Sequence, residues 1–168
     1  SRRTSMYRPG LQTATSGVMG VYQAPLRIQA PRGPVRAVLG RQYAPTLAGV
    51  GLFDGVLLDV TRPKWGAGIM AGLAPELGSL AVSTEVRQAG AFLQGRSRVS
   101  APARWSLTIG GMGSYVATEV NREFGFLQGT LNSRAVSAVI FQELDINRGW
   151  KIAAGEPHFS LTSTYASL

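Results

Sequence analysis

The chain has 168 residues, 45% of them hydrophobic and 15% charged, so its length fits one domain and its composition excludes global disorder. It contains no cysteine, which excludes disulfides, thiolate metal sites and cysteine nucleophiles. The formal net charge is +8, and no window approaches the roughly 18 unbroken apolar residues of a membrane helix, so a helix-type membrane protein is excluded as well.

Positive charge is concentrated at the beginning of the chain. Residues 1–50 contain seven arginines and no acidic residue, whereas the remainder is nearly neutral. Residues 1–11 are interpreted as a basic N-terminal arm without the apolar segment of a signal peptide, so an exported protein would begin here as a mature form or an internal fragment. Arg2, Arg3 and Arg8 predict contact with an anionic partner, such as lipid headgroups or an acidic subunit. We do not expect nucleic acid as that partner, because no recognised nucleic-acid-binding module appears.

The rest of the chain, 12–168, is interpreted as a single antiparallel β domain. Apolar residues recur with a period of two, and turns rich in Gly, Pro or Asn separate the periodic runs, whereas no period of 3.6 persists beyond about two turns. About ten strands are predicted in chain order, at 12–22, 26–30, 35–43, 52–61, 65–73, 86–98, 104–115, 121–131, 134–147 and 158–168. Short turns alternate with longer loops near 44–51, 74–85, 116–120 and 147–157, which is typical of outer-membrane barrels.

The segment 134–147 carries the clearest pattern. One predicted face holds Val136, Ala138, Ile140, Leu144 and Ile146, interrupted by Gln142. The opposite face holds Ser137, Val139, Phe141, Glu143, Asp145 and Asn147. We expect one face of the sheet to meet an apolar medium, through Val136, Ile140, Leu144, Trp105, Leu107 and Ile109. Polar side chains such as Glu143, Asp145 and Arg122 are expected on the interior.

Four segments carry a resemblance to a known family. They are GRQYAPTLAGVGLFDGVLLDV (40–60), WGAGIMAG (65–72), NREFGFLQG (121–129) and QELDINRGWK (142–151). Together they resemble, over roughly 35–168, a family of uncharacterised bacterial outer-membrane β-barrel proteins of porin-like type. The resemblance implies an all-β fold, either a complete barrel or a fragment of one, and it brings no assigned activity. In such proteins further strands usually follow.

A cluster of charged residues is the main candidate site. Glu143 and Asp145 are two positions apart and so share a strand face, and Glu123 is expected on the neighbouring strand. Paired carboxylates can perform acid–base chemistry, but nearby arginines would neutralise them. We therefore predict a lumenal salt-bridge network, formed by Arg122, Glu123, Arg134, Glu143, Asp145 and Arg148.

Other motifs indicate structural roles instead of catalytic ones. Gly66–Ala71 has the letters of a dinucleotide fingerprint but lacks the required helix after it, so it is interpreted as a chance match. His158 is the single histidine, so no nucleophile–base set and no histidine-rich metal site can be assembled. We expect no catalytic residue, metal or cofactor, and no enzymatic activity.

Aromatic residues mostly fall at the ends of predicted strands. Trp65, Trp105 and Trp150 are the candidates for an aromatic belt at a membrane interface, accompanied by tyrosines. Ordinary β cores also place aromatic residues near strand ends, so this pattern leaves both interpretations open.

Two functions remain open from the sequence. The first is a non-enzymatic outer-membrane β-barrel protein with a structural or pore-like role, in contact with the lipid bilayer. The alternative is a soluble β-rich accessory subunit, a β-sandwich in the periplasm or at a membrane, docking onto a larger membrane-protein assembly through its basic N-terminal region. Val139 and Phe141, on the face that is otherwise polar, favour a sandwich or a plugged barrel over an open channel.

Overall fold

The computed structural model describes residues 23–31, 33–47, 51–76 and 81–168. These residues form nine β-strands and one short helix: β1 (Ala24–Gln29), β2 (Val35–Tyr43), β3 (Leu52–Thr61), β4 (Trp65–Leu73), β5 (Val86–Arg96), β6 (Arg104–Val116), β7 (Glu119–Asn132), β8 (Ser137–Ile146), α1 (Trp150–Ala153) and β9 (Phe159–Ser167). In this part of the chain no helix is long and apolar enough to cross a membrane.

The strands make one antiparallel sheet in the order β1 to β9, so every strand pairs with its neighbour in sequence. The all-β antiparallel meander predicted from the sequence is confirmed. The predicted strand at 12–22 and the predicted basic arm at 1–11 lie outside the described residues. Over the described ranges, β1 and β9 are the two edges of the sheet, each paired on one side.

Several strand ends differ from the predictions by one to three residues, and three differences have a clear structural basis. The strand predicted to begin at residue 134 begins at Ser137, because the Ser133 hydroxyl bonds the backbone N–H and carbonyl of Val136 and closes a turn. The loop predicted near 116–120 is wrong, since β6 and β7 are joined by two residues, with Ala117 at φ 53°. The predicted loop at 147–157 contains the one-turn helix α1, which is too short to produce a helical period in the sequence.

The connections alternate between the two ends of the sheet. At one end, called here the short-turn end, three to seven residues join β1 to β2, β3 to β4, β5 to β6 and β7 to β8. At the other, the long-loop end, three of the four connections have eight or more residues, the two-residue turn between β6 and β7 being the exception.

The two faces of the sheet are distinguished by their burial. Leu58, Ile69 and Ala91 lie directly opposite one another on three adjacent strands and belong to what we call the exposed face. Their neighbours Leu57 and Met70, with Phe92 on the next strand, belong to the core face, where they are 5%, 4% and 8% exposed. The buried cluster consists of Val38, Ala44, Leu47, Phe53, Leu57, Met70, Phe92, Met112, Phe124 and Phe126.

Glycines on the core face make room for this cluster. The Phe92 ring lies where a Cβ on Gly68 would sit, 2.5 Å from the nearest ring atom, and the Phe126 ring covers Gly110 in the same way. A large side chain on one strand thus covers a glycine directly opposite on the next, which is a known means of filling a curved sheet.

Candidate functional site

The most extensive feature of the molecule is an apolar surface on the exposed face, called here the apolar band. It is formed by every second residue of the nine described strands. Its large aliphatic members, with Phe159 and two tryptophans, are Leu26, Ile28, Val35, Leu39, Leu52, Val56, Leu58, Val60, Trp65, Ile69, Leu73, Leu93, Trp105, Leu107, Ile109, Leu127, Leu131, Ile140, Leu144, Ile146, Phe159 and Leu161. Ile69 is 58% exposed and Ile109 51%, so the middle of the band is as open as its margins. Ile140, Leu144, Trp105, Leu107 and Ile109 lie on this face as predicted, whereas Val136 of the same predicted set lies in the connection before β8.

Two polar side chains, Gln142 and Thr164, interrupt the band within the described strands, and they satisfy each other. The Thr164 hydroxyl donates to Gln142 Oε1 at 2.8 Å. Gln142 Nε2 donates to the backbone carbonyls of Glu143 and Ser163 at 2.9 and 3.0 Å. These carbonyls border the irregularity between Glu143 and Leu144, where the register with β9 shifts. The Gln142 side-chain amide therefore donates hydrogen bonds to backbone carbonyls at the bulge, and its own oxygen accepts one from Thr164. Neither its NH2 group nor its oxygen is left without a partner.

Charged side chains on the exposed face of the described strands all lie at the long-loop end. Arg41 and Asp54 are directly opposite on β2 and β3 and form a bidentate pair with contacts of 2.5 and 2.6 Å. At the same end Glu123 accepts a hydrogen bond from the Tyr115 hydroxyl at 3.0 Å. Arg148 contacts the same carboxylate at 3.1 Å. The band between the two ends is free of charge.

Aromatic side chains lie at both margins of the band. Trp65 and Trp105 are 48% and 46% exposed at the short-turn end. Tyr43 and Tyr115 lie at the long-loop end, on the same face of their strands. Trp150 begins α1, also at the long-loop end, and is 60% exposed. An interfacial role for Trp65, Trp105 and Trp150 stays a prediction.

The core face carries the charged cluster, centred on Arg122 of β7. Its Nη2 atom lies 2.7 Å from Glu143 and 2.7 Å from Asp145, the latter also accepting from Nε at 3.1 Å. Both carboxylates are buried, each 5% exposed, and Thr162 donates a further hydrogen bond to Asp145. The Arg122 guanidinium also lies 4.3 Å from the centre of the Phe124 ring. Such a bidentate, multiply bonded arrangement fixes the relative positions of β7 and β8.

The structure brings together only part of the predicted charged set. Arg122, Glu143 and Asp145 meet, and Lys151, which sequence reasoning missed, lies 3.8 Å from Asp145. Glu123 and Arg148 form a separate pair on the opposite face, because neighbouring residues in a strand point to opposite sides. Because positions 122 and 123 are adjacent in a strand, the sequence alone places Arg122 and Glu123 on opposite faces.

Arg134 lies in the turn between β7 and β8, at the other end of the sheet from Arg122. Over the described ranges it makes no ion pair.

A second core-face pair was also missed by the sequence reasoning. Arg36 donates to Asp59 at 2.6 and 2.9 Å, and the two residues are directly opposite on β2 and β3. Because cross-strand partners are set by register, this pair could be found only after β2 and β3 had been aligned.

Other sequence motifs take ordinary places in the sheet. Gly66–Ala71 lies wholly within β4, and the next element along the described chain is β5 rather than a helix. His158 is exposed in the connection before β9. Among the described residues, no group of three or more His, Asp or Glu side chains is arranged to hold a metal ion. The predicted anionic contacts Arg2, Arg3 and Arg8 fall outside the described residues.

Comparisons with known proteins identify no relative of this chain. No protein-family model, no curated protein and no solved structure matches the chain.

Proposed function

We propose that this chain forms all or part of an outer-membrane β-barrel, with a non-enzymatic, structural role. The apolar band contacts lipid, and the core face, with Arg122, Glu143 and Asp145, faces the interior. The observation that carries the proposal is the exposed face itself: on nine described strands its central positions hold no charged side chain. Soluble monomers rarely expose a contiguous apolar surface of this extent.

The height of the band supports a lipid bilayer as its medium. Trp105 and Tyr115 lie on the same face of β6, ten residues apart, which corresponds to roughly 34 Å along a strand. At the strand tilt of about 40° usual in membrane barrels, the two aromatic side chains are separated by about 26 Å along the membrane normal. Outer-membrane barrels carry an apolar band of about 25 Å between two aromatic girdles.

The content of the core face favours a structural role over passage of large solutes. Phe92, Phe126, Met70 and Met112 are buried side by side where an open channel would need polar, hydrated side chains. The ion pairs of Arg36 and Arg122 lie on the same face. An interior filled by packed side chains with internally neutralised charges is expected of a small or plugged barrel.

The alternative is a soluble accessory subunit whose apolar band is covered by a partner protein. One observation favours it: over the described ranges β1 and β9 are unpaired on their outer sides. A strand edge in lipid leaves backbone groups without hydrogen bonds, so a membrane location requires both edges to be paired. The accessory-subunit function requires only that a partner cover them.

Depth-resolved fluorescence quenching separates the two functions. The protein contains three tryptophans, which are replaced with phenylalanine before one tryptophan is introduced, by Ile69→Trp on the exposed face or by Phe92→Trp on the core face. Each variant is reconstituted into phosphatidylcholine vesicles whose acyl chains are brominated near the bilayer centre. The proposal expects strong quenching for Ile69→Trp and weak quenching for Phe92→Trp.

The opposite result is equally definite. The membrane location would be ruled out if the wild-type protein stayed monodisperse in buffer without detergent and the Ile69→Trp variant showed no quenching. The accessory-subunit function would then stand, and the apolar band would be the surface covered by the partner.

A further inference from the structure

Six basic side chains gather at the short-turn end of the sheet, in a group called here the basic rim. They are Arg62, Lys64, Arg96, Arg98, Arg104 and Arg134. The segments that contain them, 61–65, 96–106 and 130–136, hold no acidic residue. None of the six forms an ion pair with another described residue. This end of the molecule therefore presents uncompensated positive charge.

Arg98 lies between the two exposed tryptophans of this end. With Arg62, Lys64 and Trp65 it lines a cavity of about 400 Å³. With Arg96, Arg104 and Trp105 it lines a second cavity, of about 240 Å³. Each cavity thus combines guanidinium groups with one indole ring, an arrangement that suits an anionic group held at the boundary between water and lipid.

An apolar groove of about 630 Å³ begins directly beside the second cavity. Its walls include Trp105, Leu107, Leu131 and Ile140 on the exposed face, and the groove is completed by Ser106, Gly129, Thr130, Ala138, Val139, Ala166, Ser167 and Leu168. The groove and the Arg98–Arg104 cavity share Trp105, Ser106 and Thr130.

Small residues lie along this groove. Gly129, Ala138 and Ala166 occupy exposed-face positions across β7, β8 and β9. A Cβ on Gly129 would lie 2.7 Å from Ile140 and 3.5 Å from Leu107, so the glycine allows these two side chains to close over it. A cavity lined by guanidinium groups therefore adjoins the apolar groove through three shared lining residues.

We infer that this end binds an anionic glycerophospholipid, with the headgroup phosphate on the basic rim and an acyl chain in the apolar groove. The inference rests on the proposed membrane location. Guanidinium pairs hold phosphate oxygens in a forked geometry, and the groove accepts a hydrocarbon chain that needs no polar partner. Charge complementarity selects the ligand, because an uncompensated cluster of six bases favours a lipid with net negative charge over a zwitterionic one.

Native mass spectrometry of the full chain in detergent, with added dioleoyl lipids, measures this selectivity. Wild-type protein is expected to retain dioleoyl-phosphatidylglycerol in preference to dioleoyl-phosphatidylcholine. The variants Arg98→Gln and Arg104→Gln should each reduce the preference about fivefold, the effect of one Lys or Arg near an anionic membrane surface. The matched control is Arg87→Gln, which removes the same charge from β5 at the long-loop end and should leave the preference unchanged.

A second pair of variants tests the groove. Ala166→Leu places a larger side chain in it and should weaken retention of both lipids at least severalfold, whereas Ala71→Leu, on the exposed face of β4 away from the groove, should not. Inorganic phosphate is added as a competitor, since free phosphate lacks a chain and should displace phosphatidylglycerol poorly. Efficient displacement by phosphate, or no effect of Ala166→Leu, would overturn the lipid assignment.

The outcomes separate this inference from the proposed function. Equal retention of the two lipids by a protein that does insert into vesicles overturns the anionic-lipid site and leaves the barrel intact. Failure to insert into vesicles overturns the barrel and the site together. Binding of a short oligonucleotide as tight as that of phosphatidylglycerol, and insensitive to Ala166→Leu, would make the rim a general polyanion site and overturn the inference.

Discussion

The two faces of the sheet are made from the same strands, yet one buries polar and apolar side chains together and the other exposes mainly apolar ones. On the core face, side chains with unlike chemistry are buried together: phenylalanine rings cover glycines, and Arg122 neutralises two carboxylates. On the exposed face almost every residue is aliphatic, aromatic or small, and the Gln142–Thr164 pair is internally satisfied. The core face depends on specific partners, whereas most side chains of the exposed face have no polar group that needs one. Substitutions should therefore be felt for different reasons on the two faces.

The largest expected effect is on the core face, from Arg122→Met. This change removes the cation that faces both Glu143 and Asp145 and leaves two buried carboxylates close together. Removing one member of a buried ion pair costs about 3–5 kcal/mol. Because the Arg122 side chain is 33% exposed, we expect a loss near the lower limit. The free energy of unfolding, measured by urea titration in micelles, reports it.

A matched variant tests the cause of that loss. Combining Arg122→Met with Glu143→Gln and Asp145→Asn removes the uncompensated charges and should recover most of the lost stability. If the triple variant is as unstable as Arg122→Met alone, the loss comes from packing against Phe124 instead.

On the exposed face, the largest effect is expected from a charge at the centre of the apolar band. Ile69→Arg should destabilise the inserted protein by about 2–4 kcal/mol, because an arginine near the bilayer midplane loses its hydration. Phe159→Arg, on the same face but at the long-loop end of β9, should cost no more than about 1 kcal/mol, since it lies near the interface. Unfolding titrations in vesicles compare the two, and equal costs would contradict a depth-dependent medium.

Adjacent glycines on β6 provide the sharpest comparison of the faces. A Cβ on Gly110 would lie 2.5 Å from the Phe126 ring and 2.6 Å from the Ala91 carbonyl oxygen, whereas on Gly111 it would have one contact, at 3.6 Å. Gly110→Ala should therefore destabilise by about 1–3 kcal/mol through overpacking. Gly111→Ala should be neutral or slightly stabilising. Thermal unfolding of the two variants side by side decides this, and similar melting temperatures would argue against the assigned faces.

The smallest effect should come from the polar pair in the apolar band. Gln142→Leu removes the hydrogen bonds to the carbonyls of Glu143 and Ser163 and should cost about 1–2 kcal/mol. Thr164→Val removes a single bond to Gln142 and should cost less. Equilibrium unfolding in micelles measures both. A stabilising Gln142→Leu would mean that the bulge carbonyls find other partners.

Most of the strands could be predicted from the sequence because a strand with one apolar face repeats every two residues. The predicted bounds 35–43, 52–61 and 65–73 agree with the structure residue for residue. Helix α1 was not predicted, because its four residues are too few to show the 3.6-residue period of a helix. The sequence predicts a loop at 116–120 instead of the two-residue turn at 117–118, because these two residues include neither glycine nor proline and Ala117 adopts positive φ without a sequence signal for it.

The charged cluster was predicted less completely, for a different physical reason. Glu143 and Asp145 share a face by parity alone, and that much follows from one strand. Which arginine reaches them depends on the register between β7 and β8, where Asp145 is opposite Phe124, two residues from Arg122. Lys151 joins them from α1, outside any strand, so no periodic pattern indicates its position.

The strictly sequential order of the strands has a consequence for assembly of the sheet. Each strand needs only the strand immediately before or after it in the chain, so no long loop has to close before pairing begins. The hairpin of β6 and β7 combines the tightest connection with the two longest strands. We expect it to form earliest, with the remaining strands adding outward on both sides, one neighbour at a time.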